Sequence, residues 1–268
     1  MHSVHETWKA DLHVHTPDVE KGLSDATANT ADALLPAFFR LIDTGDVNAL
    51  TLLCHDGFPT ETYQNVRKAL PDVPIMVGTE ITVRLPTGRR VADQILPRTG
   101  HLLALFPEPP QSWDLPQPDW KGNALERRKA LYNVPWIEEA VAEVTKHDGI
   151  TIAAHPSQVA LPWGSMTTRE VRDLHATGVL PTATGIEHNH SAIHRFSGNE
   201  VDRLADRLDL PVVGGSDAHR PNKVGSRTTL FARQTGDVFE DLKSALFERA
   251  TVVGGTALMS RLFPATFR

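Results

Sequence analysis

The stretch ADLHVHT, residues 10–16, contains the pattern that decides the fold. Its apolar run, residues 10–14, has the composition of a short buried strand, with His13 and His15 at its carboxyl end. Side chains two residues apart on a strand point the same way, so the two imidazoles form a pair. Similar runs rich in Val, Ile, Leu and Ala recur at NALTLLC (48–54), PIMVGTE (74–80), HLLALF (101–106), GITIAAH (149–155), ATGIEH (183–188) and PVVGGSD (211–217).

Amphipathic segments that favour helices lie between most of these runs. Thr30 and Asp237 are predicted N-caps, and Pro135 stands where a first helical turn accepts proline. Apolar strands separated by helices predict a parallel sheet covered on its outer side, and about seven such units favour a βα-barrel over an open doubly wound sheet. No GxGxxG or GxxxxGK(S/T) motif follows a strand, which argues against the usual nucleotide-binding sheets. The predicted helices cover residues 30–43, 60–70, 135–147, 168–177, 199–208 and 237–250.

The composition is that of an ordinary folded protein, with 40% hydrophobic and 22% charged residues among 268. Lys and Arg number 27 against 33 Asp and Glu, and the net charge of −6 argues against extended nucleic-acid binding. The single Cys54 excludes an intramolecular disulfide and fits a reducing compartment. No apolar run approaches the roughly 18 residues of a membrane span, and the amino terminus lacks the apolar core of a signal peptide. We therefore expect a cytoplasmic protein without a membrane partner.

Residues 107–134 interrupt the alternation of strands and helices. The segment opens with five prolines, among which Trp113 and Trp120 lie. It is too long and too rich in proline for an ordinary βα connection. Two interpretations stay open: a lid or binding loop, or a surface excursion packed by its own tryptophans. Since no stretch has the composition of a linker, we expect a single domain, 1–268, that carries this insertion.

Residues of the types that bind metals recur at the ends of the apolar runs. His101 is an exception, because it opens its run instead of closing it. The carboxyl ends of barrel strands converge on one mouth, so residues far apart in sequence meet there. Six histidines and two carboxylates at one mouth predict a divalent metal site with nitrogen and oxygen ligands. The residues are His13, His15, His55, Glu80, His101, His155, Asp217 and His219.

The motifs that carry these residues resemble those of the PHP family, named for polymerase and histidinol phosphatase. They are DLHVHT (11–16), the strand ending in His55, GTEIT (78–82), HLLAL (101–105), AAHP (153–156) and GGSDAH (214–219). They occur in the family's order and span residues 11–219. The resemblance implies a distorted seven-stranded (β/α)7 barrel similar to a TIM barrel. It also implies phosphoesterase activity with two or three divalent metals at the strand ends, which we expect to be Zn²⁺, Mn²⁺ or Fe²⁺.

The resemblance implies a role for each matching residue. The first metal is bound by the His13–His15 pair with Glu80 and Asp217. Glu80 bridges to a second metal, bound by His101 and His155. A third metal is bound by His55 and His219, or these two complete the cluster. Catalytic roles fall to Glu80, Asp217 and His219.

The loop after the first strand departs from the family pattern. The family reads HT…SDG within a few residues, whereas this chain reads HTPDVEKGLSDAT. Asp25 matches the aspartate of that motif and is the expected further metal ligand, with Asp18 and Glu20 as nearer alternatives. Cys54 stands where the family has Asp in TDH, and we interpret it as a small buried residue.

Two acidic residues are candidates for holding metal-bound imidazoles in place. Asp11 is expected on the same strand side as His13, and Glu187 follows another strand in GIEHNH (185–190). In the same motif His188 and His190 are candidates for facing the substrate, and a polar loop rim is the alternative.

Cations just past the sixth and seventh runs are candidates for gripping a phosphate. These are Arg195, Arg220 and Lys223, with Arg89, Arg90 and Arg98 as weaker candidates.

The predicted function is hydrolysis of a phosphate ester by a metal-activated hydroxide at a multinuclear centre. The expected partner is a small phosphorylated metabolite or nucleotide, and the sequence leaves the oligomeric state open. Three alternatives remain: a nuclease that acts on short oligonucleotides, a metal-dependent hydrolase of C–N or lactone bonds, and a non-catalytic metal-stabilised binding module.

Overall fold

The computed structural model of the chain describes residues 7–17, 30–86, 97–120, 123–156, 165–189 and 198–254. Within these ranges the strands are β1 (Thr7–His15), β2 (Ala49–His55), β3 (Ile75–Arg84), β4 (Thr99–Phe106), β5 (Ile150–Ala153), β6 (Gly185–Asn189), β7 (Val212–Gly215), β8 (Thr228–Ala232) and β9 (Val252–Gly254). The helices are α1 (Ala31–Asp43), α2 (Thr60–Ala69), α3 (Ala124–Ala130), α4 (Ile137–Lys146), α5 (Thr168–Ala176), α6 (Gly198–Leu208) and α7 (Val238–Phe247).

Side-chain caps fix several of the helix starts. Thr30 accepts a hydrogen bond from the backbone N–H of Ala33 at the start of α1, and Asp237 caps α7 in the same way. Both predicted N-caps are confirmed. Pro135 precedes α4, which begins at Ile137, so its predicted place in the first helical turn is wrong.

The strands form one mixed sheet in the order β7-β6-β5-β4-β3-β2-β1-β8-β9. The two sides of this sheet meet where Ala218, just beyond β7, pairs with the end of β1: the His15 N–H donates to the Ala218 carbonyl at 3.1 Å. The sheet is therefore a nearly closed barrel. Among the described residues, no helix is both long enough and apolar enough to cross a bilayer.

The expected seven-stranded (β/α)7 barrel is wrong in strand number and strand direction. The described sheet has nine strands; β4 runs antiparallel to β3 and β5, and β8 runs antiparallel to β1 and β9. An antiparallel neighbour needs no crossover helix, and the apolar content of a run does not reveal its direction. The coarser expectation, an α/β barrel, is confirmed.

A β-bulge in β1 sets the direction of its last side chains. Asp11 pairs with Leu50 and Val14 with Leu52, so three steps along β1 match two steps along β2. The extra residue reverses the alternation of side chains along the strand. Leu12, before the reversal, packs into a core with α7 residues, whereas Val14 packs into a second core against the helices α1 and α2. The same reversal turns His13 and His15 towards the interior of the barrel.

Candidate metal centre

Parallel strands bring His55 and Glu80 together, and an antiparallel strand adds His101. His55 pairs with Glu80 in the register of β2 and β3, where β2 ends. Because β4 runs the other way, its beginning lies beside the end of β3, and His101 pairs with Thr82. The residue that broke the sequence pattern therefore reaches the same edge of the barrel, which we call the mouth.

Glu80 lies at the centre of a group of imidazoles. Its carboxylate is buried, and each of its oxygens lies close to two different histidines. The distances are 2.7 Å to His101 Nδ1 and 2.8 Å to His155 Nε2 from Oε1, and 3.1 Å to His55 Nδ1 and 3.2 Å to His15 Nε2 from Oε2. Burial alone would raise the pKa of Glu80, but His101 and His55 hold it well below its usual value.

Asp217 and His219 close the other side of the group. Asp217 Oδ1 lies 3.3 Å from His15 Nε2 and 3.6 Å from His13 Nε2. The ring of His219 lies 4.2 Å from that of His15, centroid to centroid. Although burial opposes it, His13 and the neighbouring imidazoles lower the pKa of Asp217. Eight of the nine predicted metal ligands lie within the described residues, and the structure brings all eight together.

Three residues at the mouth adopt a left-handed backbone without being glycine. Asp56, His155 and Asp217 have φ angles of 52°, 28° and 51°. Such conformations cost energy and persist where the surrounding structure imposes them, often at functional sites. Each residue follows a strand, so the turn redirects the chain at the point where a ligand-type side chain is presented.

The donor set fits divalent cations. The Nε2 atoms of His13 and His15 lie only 3.0 Å apart. His101 Nδ1 is buried and has no hydrogen-bond partner within the described part of the chain, although it lies 2.7 Å from the Glu80 carboxylate. Converging nitrogen and oxygen donors that do not satisfy one another are what a metal ion with imidazole and carboxylate ligands requires. Three overlapping sets have donor atoms within 4.8 Å of one another: His15, His55 and His219; His13, His15 and Glu80; and His55, Glu80 and His101.

Glu187 forms hydrogen bonds with two residues of this cluster, His13 and His155. His13 Nδ1 donates to Glu187 Oε1 at 2.8 Å, which leaves the Nε2 lone pair of His13 for the cluster. The other carboxylate oxygen accepts from the backbone N–H of His155 at 2.8 Å. Burial lowers the pKa of His13, but Glu187 and Asp217 outweigh it and raise that pKa well above its usual value. The structure therefore places Glu187 where the sequence predicts a residue that orients a ligand.

The sequence was compared with models of known protein families and with curated proteins. A model of the family PHP_C, described as PHP-associated, matches residues 199–251. This part of the chain is therefore similar to the PHP-associated family. No curated protein sequence matches it closely enough to serve as a relative.

Solved structures share the fold at low sequence identity. A proposed metal-dependent phosphoesterase from Bifidobacterium adolescentis is 17% identical, with a TM-score of 0.50 over 90% of this chain and 96% of that chain. An amidohydrolase from Chromobacterium violaceum is 18% identical, with a TM-score of 0.50 over 93% and 99%. The lesion-specific endonuclease EndoQ from Pyrococcus furiosus is 15% identical, with a TM-score of 0.50 over 92% of this chain and 57% of that chain.

Asp11 does not lie on the strand side of His13 and His15, where the sequence predicts it. Its carboxylate accepts hydrogen bonds from the backbone N–H groups of Ser216 at 3.0 Å, Gly225 at 2.7 Å and His13 at 3.3 Å. The bulge in β1 turns Asp11 away from the side that His13 and His15 share, and Asp11 instead ties β1 to the chain that follows β7. Burial raises its pKa to about 6 against these hydrogen bonds.

The predicted substrate contacts divide into three groups. Arg220 and Lys223 are exposed and lie at the turn that follows Asp217 and His219. His188 follows Glu187 on β6, so the alternation of the strand places it on the opposite face. Arg98 grips Glu170 with two hydrogen bonds of 2.8 Å, which gives it a structural role. The remaining predicted residues lie outside the described ranges: Asp18, Glu20, Asp25, Arg89, Arg90, His190 and Arg195.

Sequence reasoning missed a contact between Asp56 and Trp120 at the mouth. Asp56 follows His55 and is buried; its carboxylate accepts from the backbone N–H of Thr82 at 2.6 Å and from Trp120 Nε1 at 2.8 Å. Burial raises the pKa of Asp56. The only signal in the sequence was an acidic residue next to a candidate ligand, without any indication of its partner.

The first part of the inserted segment is fastened to the barrel. Tyr63 donates to the Pro107 carbonyl at 3.1 Å, and Lys146 binds Asp114 at 2.5 Å. The ring of Trp113 packs at 5.1 Å from that of Phe58, centroid to centroid. Trp113 and its neighbours therefore match the interpretation of an excursion packed on its own tryptophan, whereas Trp120 reaches the mouth.

Proposed function

We propose that this protein belongs to the PHP family and is a metal-dependent hydrolase of phosphate esters with a multinuclear centre of two or three divalent metals. The observation that carries the proposal is the position of Glu80, with its two oxygens within 3.2 Å of four imidazoles on four different segments. A carboxylate so placed is suited to bridge two cations. The expected substrate is a small phosphorylated metabolite or nucleotide.

We assign the ligands as the resemblance implies. His13, His15, Glu80 and Asp217 would hold one metal, and Glu80, His101 and His155 another. His55 and His219 would hold a third or complete the cluster. Zn²⁺, Mn²⁺ and Fe²⁺ all suit this mixture of imidazole and carboxylate. Divalent metals supply Lewis acidity and lower the pKa of water towards neutrality.

Side chains of the protein would orient the metal ligands and protonate the leaving oxygen. Glu187 holds the Nδ1 proton of His13 and thereby fixes the ring with Nε2 towards the cluster. The side chain of His219 is 32% exposed, the largest exposed fraction among the six imidazoles of the cluster. As the alternative to binding a third metal, His219 would protonate the leaving oxygen. We assign Arg220 and Lys223, on the following turn, to neutralise phosphoryl oxygens.

Hydrolysis of a C–N bond is the second candidate, favoured by the likeness to the Chromobacterium violaceum amidohydrolase. This reaction would use the same metal centre and differ only in the substrate. Extended nucleic acid is disfavoured by the net charge of −6. A cytoplasmic location remains a prediction from the sequence.

The deciding experiment combines metal analysis with two chromogenic substrates. Metal content of the purified protein is measured by mass spectrometry, alongside hydrolysis of p-nitrophenyl phosphate and bis(p-nitrophenyl) phosphate. The His155→Ala variant tests the site, and His147→Gln is the matched control, since His147 binds Glu143 outside the site. Two or three metals per chain with turnover that depends on His155 support the proposal. Metal-loaded protein that cleaves amides and neither ester favours the second candidate, and a metal-free, inactive protein overturns both.

A further inference from the structure

The cluster of candidate ligands is open to solvent on the side of His55, His101 and His219. Their side chains are 18%, 19% and 32% exposed, whereas those of His13 and His15 are buried, at 0% and 1%. A substrate therefore approaches from this side, and the residues that flank it determine which groups of the substrate are bound.

Trp120 lies on this open side. Its Nε1 donates to Asp56, the residue next to His55, and Asp56 in turn is held by the backbone N–H and the hydroxyl of Thr82. Thr82 is the cross-strand partner of His101. The indole is thus linked through Asp56 to the neighbouring residue His55, and through Asp56 and Thr82 to His101.

The position of Trp120 is fixed before any substrate binds. The hydrogen bond to Asp56 holds the Nε1 edge of the ring, and the preceding residues are anchored by the packing of Trp113 against Phe58. The ring is only half-buried, so part of its surface is open. A rigid aromatic surface loses little conformational entropy when a planar group stacks on it.

We propose that the indole of Trp120 is a stacking surface for a planar aromatic group of the substrate, and hence that the substrate is a nucleotide. This inference rests on the proposed phosphoesterase function. Trp113 does not serve in this way, because it packs between Phe58 and Phe106. A base stacked on Trp120 places its phosphate towards His55 and His101. Arg220 and Lys223, which follow His219, remain available for phosphoryl oxygens.

The test compares two substrates that share a phosphate and a sugar. Adenosine 5′-monophosphate carries a base, and ribose 5-phosphate does not. Stacking on an aromatic residue contributes enough to change affinity roughly 5- to 150-fold. In the Trp120→Leu variant we expect KM for adenosine 5′-monophosphate to rise by a factor in this range, with KM for ribose 5-phosphate unchanged. Trp120→Phe retains a ring and should keep most of the preference.

Two further measurements separate the possible failures. Trp136→Leu is the matched control, because the Trp136 ring is exposed and is occupied by Arg84. Equal effects of Trp120→Leu on both substrates, or none, overturn the inference while the phosphoesterase function stands. Wild-type protein that hydrolyses neither these two substrates nor the chromogenic esters refutes the phosphoesterase function. Whenever neither of the two is hydrolysed, quenching of tryptophan fluorescence by adenosine 5′-monophosphate decides the inference: quenching lost in Trp120→Phe supports it, and equal quenching overturns it.

Discussion

Glu187 and His13 form a buried pair in which the imidazole Nδ1 lies 2.8 Å from the carboxylate. The pair joins β6 to β1 across the interior of the barrel and fixes which nitrogen of His13 faces the cluster. The other carboxylate oxygen of Glu187 accepts from the backbone N–H of His155. Within the described residues, His13 and His155 are the candidate ligands that the Glu187 side chain contacts. Its effect on metal binding therefore runs through two ligands at once.

We expect Glu187→Gln to weaken metal binding roughly 10- to 100-fold, because the amide is neutral and holds the His13 tautomer less well. Isothermal titration of metal-depleted protein with Zn²⁺ or Mn²⁺ measures the change. Glu143→Gln is the control, since Glu143 on α4 binds Lys146 and His147 away from the site. Unchanged affinity in Glu187→Gln would show that the pair is only structural.

Gly215 makes room for this pair. A Cβ at this position would lie 2.3 Å from Glu187 Oε1 and 2.6 Å from the Cβ of His13. We expect Gly215→Ala to cost about 1–3 kcal/mol in the free energy of unfolding, because a well-packed interior must shift. Urea denaturation measures it. Gly185→Ala on β6 is the milder control, since its nearest contacts are side-chain atoms at 3.3 Å. Equal costs for both variants would contradict the steric explanation.

The sequence alone allows the candidate ligands to be predicted, because the ends of the strands converge at one mouth of a barrel. His55, Glu80 and His155 each follow an apolar run, and runs of that kind end at one mouth whatever the exact strand count. His101 was placed by its motif, although the reason for its position lies in the reversed direction of β4. Strand direction depends on which neighbours pair, and a run of apolar residues does not encode it.

The errors have local physical causes. Asp11 was expected beside His13 because alternation was assumed to be regular, and a one-residue bulge reversed it. The Trp120–Asp56 hydrogen bond joins residues 64 positions apart, and no periodicity relates them. Both features depend on tertiary packing, which a single sequence does not show.

Glu80 links metal binding to stability. A ligand that binds only the folded chain stabilises it by mass action, so chelation with EDTA should lower the Tm of the metal-loaded protein. In Glu80→Gln we expect this shift to shrink or vanish, because the bridging carboxylate is lost. Differential scanning fluorimetry with and without EDTA measures it. Glu170→Gln removes a carboxylate that binds Arg98 outside the site and should keep the full shift. A Glu80→Gln protein that responds to EDTA as the wild type does would exclude Glu80 as a ligand.

Asp241 supplies a pH-dependent contribution to stability at the opposite end of the barrel interior. Its buried carboxylate accepts from Trp8 Nε1 at 2.9 Å and from the backbone N–H groups of Gln234, Thr235 and Gly236 at 3.1, 2.8 and 3.3 Å. Burial would raise the pKa of Asp241, but these donors lower it below 3.8. A lowered pKa means that the stabilisation is complete above the unfolded-state pKa and is lost as the pH falls through the folded-state pKa.

Asp241→Asn should therefore lower the free energy of unfolding by about 1–3 kcal/mol at pH 7, since the amide offers one acceptor where the carboxylate offers two. The gap between the variant and the wild type should stay constant from pH 8 to about 5 and narrow below about 4. Urea denaturation in EDTA at pH 7, 5 and 3.5 measures it without a contribution from bound metal. Asp114→Asn, at an exposed ion pair with Lys146, should cost far less, because solvent screens such pairs. A gap that widens on acidification would mean that Asp241 is protonated in the folded protein, which its ring of N–H donors disfavours.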